Sequence, residues 1–369
     1  MRVMITGGGT GGHVYPGLTV AQTIMDKHPQ TEVLFVGSEH GLEADVIPRE
    51  GYRLETIPLV GLPRKLSPKV FFALWLAGKG FIEAGRIIRR FKPDVVIGTG
   101  GYVCGPVVLA AALARIPTAI QEQNAFPGLT NRLLGRVVSR VFIAYEEASR
   151  HFSRTKVMLT GNPIRSDVMK AVRAEGAARL GLDPHLETLL VVGASQGARS
   201  INEALLTALP SLLRMQRLQI LHITGKRNYE AVREAMIHLN LPHAMAARVH
   251  TVPYLYDMPD AYGVADLVVS RAGAISLAEM TARGLPMVLV PFPYAAADHQ
   301  TFNAHALEKR GAAKVIDDRA LTGERLLAEV MPLLREPGTL ARMGKASLAC
   351  GRPDAARLIA GELVRLAGA

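Results

Sequence analysis

Arg2-Val-Met-Ile-Thr6 runs directly into Gly7-Gly-Gly-Thr-Gly-Gly12-His13, a short apolar stretch that gives way to five glycines and a histidine. That order is how a buried strand hands over to a helix around a phosphate or a sugar. Glycine permits positive φ and lets the backbone come close to a ligand. His13 stands directly behind the turn, a side chain that titrates near neutral pH at the mouth of the expected site.

Outward from this stretch the pattern repeats. Short apolar runs that stop at glycine or a polar residue follow at Val33–Val36, Val95–Ile97 before Gly98-Thr-Gly-Gly101, Thr118–Ile120 and Val141–Ala144. Helical stretches such as Leu18–Lys27 and Pro106–Arg115 lie between them. Strand and helix in alternation predict a parallel, doubly wound sheet. The second half starts again with Leu189–Val192 and Gly193-Ala-Ser-Gln-Gly-Ala198, then Gln219–Thr224, Arg248–Val252, Leu267–Ser270 and Met287–Val290. The expectation is an α/β protein of two Rossmann-like domains facing each other across a cleft, with ligands at the carboxyl ends of the strands. Leu159-Thr-Gly-Asn-Pro163 reads as the hinge. The boundaries expected are 1–162 and 163–351, with the helical tail 352–369 completing the first domain.

The loops admit more than one chemistry. Gly7-x-Gly9-x-x-Gly12 fits the dinucleotide fingerprint, which would make the chain an NAD(P) oxidoreductase, or it is only a tight structural turn. The acidic residue that should follow at the end of the second strand is missing, since Gly37-Ser38 stands there and Glu39 comes late. A phosphate or sugar cradle fits better. Gly193-Ala-Ser195-Gln-Gly197 has the spacing of a hydrolase nucleophile elbow, or its amides and Ser195 grip a phosphate. Ser270-Arg-Ala-Gly273-Ala-Ile-Ser276-Leu-Ala-Glu279 follows a strand and opens a helix near Gly273–Ala274. Its first amides suit a diphosphate, and Glu279 suits the two hydroxyls of a ribose, unless it is a glutamate on a solvated helix face. Pro291-Phe-Pro-Tyr, Asp298-His-Gln300 and Asn303 supply polar groups for a sugar at the next strand end.

Charge adds a partner. The chain carries 43 Lys and Arg against 32 Asp and Glu, and Arg64–Lys92 holds eight basic residues and one acidic, interleaved with Phe71, Phe72, Trp75 and Phe81. This stretch reads either as a helix lying on an anionic membrane surface or as a packed helix with a basic rim. No recognised nucleic-acid reader motif occurs, so nucleic acid is not expected as a partner. Cys104 and Cys350 offer neither a disulfide framework nor metal-ligand spacing, which fits a reducing cytoplasm. Met1-Arg2 leads into a strand, so no secretory signal is expected.

Gly7–Gly17, Gly98-Thr-Gly-Gly-Tyr102-Val-Cys-Gly-Pro106, Glu122-Gln-Asn124, Gly161-Asn-Pro-Ile-Arg165, Ser195-Gln-Gly-Ala198 and Arg271–Glu279 together resemble the MurG family, the bacterial UDP-N-acetylglucosamine:lipid I N-acetylglucosaminyltransferases of glycosyltransferase family 28. The motifs run in the family's order over nearly the whole chain. The resemblance implies a GT-B fold with the lipid acceptor on the first domain and UDP-GlcNAc held mainly by the second. Thr10, Gly11, Gly12 and Asn124 would then lie at the donor sugar and acceptor diphosphate. Arg165 and Ser195 would meet the UDP phosphates, and the backbone at Leu255 would read uracil. Ala274, Ile275, Ser276, Leu277 and Ala278 would lie along the diphosphate helix, Glu279 at the ribose and Gln300 at the GlcNAc hydroxyls. His13 is the candidate catalytic base. No metal ion or other cofactor is implied, and the expected location is the cytoplasmic face of the plasma membrane. The chain departs from the family at Gln121, where histidine is frequent, and at Ala194, where glycine is. A UDP-GlcNAc 2-epimerase or a non-enzymatic, membrane-bound nucleotide sensor are the alternatives.

Overall fold

A computed structural model of the chain describes residues 1–59, 68–193 and 197–368, with the backbone alone for 68–74. It divides into two compact units, Met1–Ile164 with Arg352–Ala369, and Arg165–Gly351.

In the first unit seven strands form one sheet: β1 (Arg2–Thr6), β2 (Glu32–Ser38), β3 (Arg53–Ile57), β4 (Val95–Gly98), β5 (Thr118–Glu122), β6 (Arg140–Ile143) and β7 (Val157–Leu159). Their spatial order is β3-β2-β1-β4-β5-β6-β7, every pair parallel. The order reverses between β1 and β4, and at such a switch point two loops leave the sheet side by side. Thr6 pairs with Gly98 in register, so the glycine loops after β1 and β4 exit together. They touch closely: a Cβ on Gly101 would stand 2.4 Å from the Gly8 carbonyl oxygen, which only glycine allows.

The second unit repeats this plan with β8 (Glu187–Val192), β9 (Leu218–Ile223), β10 (Val249–Val252), β11 (Leu267–Ser270), β12 (Met287–Leu289) and β13 (Ala313–Val315). The order is β10-β9-β8-β11-β12-β13, again all parallel. Val192 pairs with Ser270, which sets the end of β8 beside the end of β11, from which the chain leads into the helix Ala274–Ala282.

The central strands are continuous apolar runs because helices cover both faces of the sheet. Val3, Ile5, Val95, Ile97 and Phe142 are wholly buried on one side of the first sheet, together with Ile359, Ala360 and Leu363 of the tail helix Ala355–Leu366. An ion pair of 2.6 Å between Arg140 and Glu362 fastens the same helix. The strands that the apolar pattern does not mark are β3, β7 and β13. All three sit at sheet edges, and Arg53-Leu-Glu-Thr-Ile57 mixes polar with apolar residues because it is only half covered.

Candidate active site

The second unit gathers the nucleotide-type residues at the start of one helix. Gly273 caps the helix Ala274–Ala282, and a Cβ built on Gly273 would meet nothing within 4 Å, so the space beside the helix start is open. Ala274, Ile275, Ser276 and Ala278 are half-exposed there. Leu277 is not: its side chain is wholly buried in the core with Leu190, Val268 and Met280, so only its backbone reaches the helix start. Glu279 is 6% exposed and its Oε1 lies 3.4 Å from Nε of Arg165. The Tyr262 hydroxyl joins Glu279 and Ser276 from the helix Met258–Val264. Burial lifts the Glu279 carboxyl above the ordinary carboxylate range, while Arg165 and Tyr262 pull it back. The result is a buried acceptor, held by a cation and a hydroxyl, beside an open helix N-terminus that favours anions.

Two neighbouring features follow from the same corner. The Gln300 carboxamide oxygen accepts from the amides of Ala272 at 3.1 Å and Phe292 at 3.0 Å, which leaves its NH2 group as the part that can meet a ligand. Leu255 lies half-buried between β10 and the helix Met258–Val264. Its flanking Tyr254 and Tyr256 rings meet edge to face at 4.8 Å, with the Lys226 ammonium 5.2 Å from the first ring and 5.6 Å from the second. Neither Tyr262 nor this aromatic pair stands out in the sequence, where they are single aromatics in polar loops and an apolar helix. Ser195, with Ala194, lies outside the described residues.

In the first unit the glycine loop is pinned from several sides. Thr10 caps the helix Gly11–Lys27, so Gly11, Gly12 and His13 are its first turn. His13 Nδ1 is 3.0 Å from the Gly8 carbonyl oxygen and 3.2 Å from the Thr10 hydroxyl. A carbonyl only accepts, so Nδ1 carries the hydrogen and Nε2 is the basic nitrogen. The Thr99 hydroxyl donates to the His13 carbonyl at 2.7 Å, anchoring the turn to the second glycine loop. Asn124 turns back on the end of β5, its amide and carboxamide donating to Glu122 at 3.0 and 3.2 Å. Gln121, at the position where the family often has histidine, is wholly buried and donates to Asn162 at 2.7 Å, while Gln123 donates to both Gln121 and the Thr99 carbonyl. In this chain that position is engaged inside the first unit.

The basic stretch forms the helix Pro68–Phe91, while Arg64 and Lys65 lie outside the described residues. Trp75 (53% exposed), Lys79, Ile82 (56% exposed) and Arg86 recur at helical spacing along its outer side, with the Lys79 ammonium 3.8 Å above the indole. Ala84, Ile87 and Ile88 face the core. Part of the positive charge is met locally, since Arg86 pairs with Glu83 at 2.8 Å and Arg90 pairs with Glu55. Among the described residues no helix is long and apolar enough to cross a membrane, and no group of three or more His, Cys, Asp or Glu is placed to hold a metal ion.

Two doubly wound units, each with its loops at the carboxyl ends of a parallel sheet, make an α/β architecture of the GT-B type, the fold of nucleotide-sugar enzymes. Residues 3–143 match the glycosyltransferase family 28 N-terminal domain and residues 188–359 its C-terminal domain. Over 97% of its length the chain is 48% identical to the UDP-N-acetylglucosamine--N-acetylmuramyl-(pentapeptide) pyrophosphoryl-undecaprenol N-acetylglucosamine transferase of Moorella thermoacetica, again covering 97% of that protein. It is 46% identical to the protein of the same name from Halothermothrix orenii, over 96% of this chain and 95% of that one. Among solved structures, MurG of Acinetobacter baumannii superposes with a TM-score of 0.79 at 31% identity, 99% of each chain covered. The chain belongs to the MurG family of glycosyltransferases. A UDP-GlcNAc 2-epimerase from Neisseria meningitidis shares the fold alone, at 14% identity and a TM-score of 0.70.

Proposed function

We propose that the protein is an inverting glycosyltransferase that moves N-acetylglucosamine from UDP-GlcNAc to the C4 hydroxyl of MurNAc in undecaprenyl-pyrophosphoryl-MurNAc-pentapeptide (lipid I), forming the β-1,4-linked lipid II of peptidoglycan synthesis. The observation that carries this is the Arg165–Glu279–Tyr262 cluster beside the open start of the helix Ala274–Ala282, in a chain of this family. Residues 165–351 take the donor and the first unit takes the lipid acceptor. Glu279 accepts from both ribose hydroxyls, and the backbone at Leu255 reads the uracil edge. Arg165, Ser195 and the amides of Ala274–Ser276 meet the diphosphate. The Gln300 NH2 donates to a GlcNAc hydroxyl.

Transfer passes through an oxocarbenium-like transition state in which UDP gathers negative charge as it leaves. A helix N-terminus and a guanidinium already in place stabilise that charge without reorganising. The C4 hydroxyl gives its proton to His13 Nε2, the imidazole being oriented through Nδ1. Thr10, Gly11, Gly12 and Asn124 line the acceptor side. Trp75, Lys79, Ile82 and Arg86 support docking on the anionic cytoplasmic face of the membrane, where a lipid-linked acceptor resides. Replacing His13 by alanine is expected to lower kcat by about 100-fold or more while UDP-GlcNAc still binds. Near-normal kcat with intact binding would remove His13 from the mechanism.

A further inference from the structure

Glu43 is wholly buried, yet no basic side chain among the described residues pairs with it. Its carboxylate only accepts. Oε2 takes the Gly9 amide at 2.8 Å, and Oε1 takes the Ser38 amide at 3.1 Å and the Ser38 hydroxyl at 2.6 Å. The Tyr102 hydroxyl donates in turn to Ser38 Oγ at 3.3 Å. Space for the carboxylate exists because its neighbours lack side chains: a Cβ on Gly8 would stand 2.1 Å from Oε1, and one on Gly41 2.2 Å from Oε2. Burying a charged carboxylate without a cation is costly, so this arrangement calls for a reason beyond packing.

The Gly9 N–H and the Gly8 carbonyl belong to one peptide group. Glu43 holds its nitrogen side and His13 Nδ1–H holds its oxygen side. An anion accepting from the N–H polarises the peptide, makes the Gly8 oxygen a stronger acceptor, and so favours the protonated imidazole. We propose that Glu43 is a positioning residue that orients His13 and raises its basicity through the Gly8–Gly9 peptide, a carboxylate–histidine pair with a peptide group between its members. It rests on the reading of His13 as the base. The same contact has a second consequence. With the Gly9 amide already given to an internal anion, a phosphate at this loop would have to be held by its other amides.

Three other titratable groups near this loop have partners or a charge state of their own. Tyr102 is engaged with Ser38. The Cys104 thiol, pushed up to about 12 by burial, stays neutral. Glu122 is bound by donors from Asn124, Gly128 and Asn131.

The test is Glu43→Gln in the full chain, which keeps the shape and removes the charge. A carboxylate two hydrogen bonds away in a partly screened interior shifts an imidazole by on the order of one pH unit. The acid limb of kcat/KM, and the His13 ring titration followed by NMR without substrate, should both move about one unit lower, with the affinity for UDP-GlcNAc kept. A purely structural Glu43 would lower the rate and leave both titrations in place, which would overturn the proposal. Should the variant not fold, the nitrogen spectrum of the wild-type imidazole decides: the Nδ1–H tautomer is expected, and the Nε2–H tautomer contradicts the relay. His13→Ala separates the two ideas. If it leaves kcat intact, the base assignment fails, while a lowered His13 titration in Glu43→Gln still supports the relay.

Discussion

Arg165 and Glu279 hold each other at 3.4 Å, so a ribose bound as proposed would share an acceptor that a guanidinium already uses. Glu279→Gln keeps the volume but leaves one acceptor oxygen where two hydroxyls need partners. UDP affinity is expected to fall by about 10- to 100-fold, the cost of a charge-assisted hydrogen bond in a buried place. The pH dependence has a definite sign. Burial raises the Glu279 carboxyl, so the ionised form that the ribose needs is lost earlier than for an exposed glutamate as pH falls. Calorimetric titration of UDP should show affinity dropping already above about pH 4.3 in the parent and flat across the same range in Glu279→Gln. A parent whose affinity does not change between pH 7 and 4 would place Glu279 away from the ribose. A glycine-rich motif is what singles out His13 and Glu279 in the sequence, and their roles belong to the proposal above. Glu43 is not singled out, because its partners are backbone amides and a serine, and nothing in Gly41-Leu-Glu-Ala-Asp45 marks one glutamate as buried.

Elements were easier to read than contacts. The apolar runs mark the central strands of both sheets, since a strand covered on both faces has no polar positions. Edge strands β3, β7 and β13 escape this signal, being only partly covered. The helix Gly11–Lys27 begins inside the glycine loop rather than at Leu18. Glycine is a poor helix former, so composition argues against a first turn whose amides tertiary structure nonetheless sets in place. The tail helix Ala355–Leu366 is amphipathic in sequence, and its buried side seals the first unit. Leu363→Ala should destabilise that unit by about 3 kcal/mol, read as a lowered urea midpoint, and a change below about 1 kcal/mol would contradict its core position. Glu362 beside it is held down to about 2 by Arg365, with Arg140 also contributing. Its support for the helix is therefore present above the ordinary glutamate range and fades as pH falls toward about 2.

At the scale of the whole chain, one strand order has been used twice and the loops have diverged. In the first unit the Gly9 amide is given to an internal carboxylate, whereas in the second the space beside Gly273 is open. The sequence hides that difference, because only the fold shows what stands beside each loop. Net charge belongs to this scale as well. The formal charge of +11 is concentrated around Arg64–Lys92, so binding to vesicles should rise with their anionic lipid content and weaken with salt. Equal sedimentation with neutral vesicles would rule out electrostatic docking. The most direct measurement is UDP release from UDP-GlcNAc with and without a lipid I analogue, with the lipid product identified. Release should depend on the acceptor and match a newly formed GlcNAc-β-1,4-MurNAc lipid mole for mole. Release without acceptor, or no turnover by a folded protein that binds UDP-GlcNAc, would contradict glycosyl transfer to lipid I.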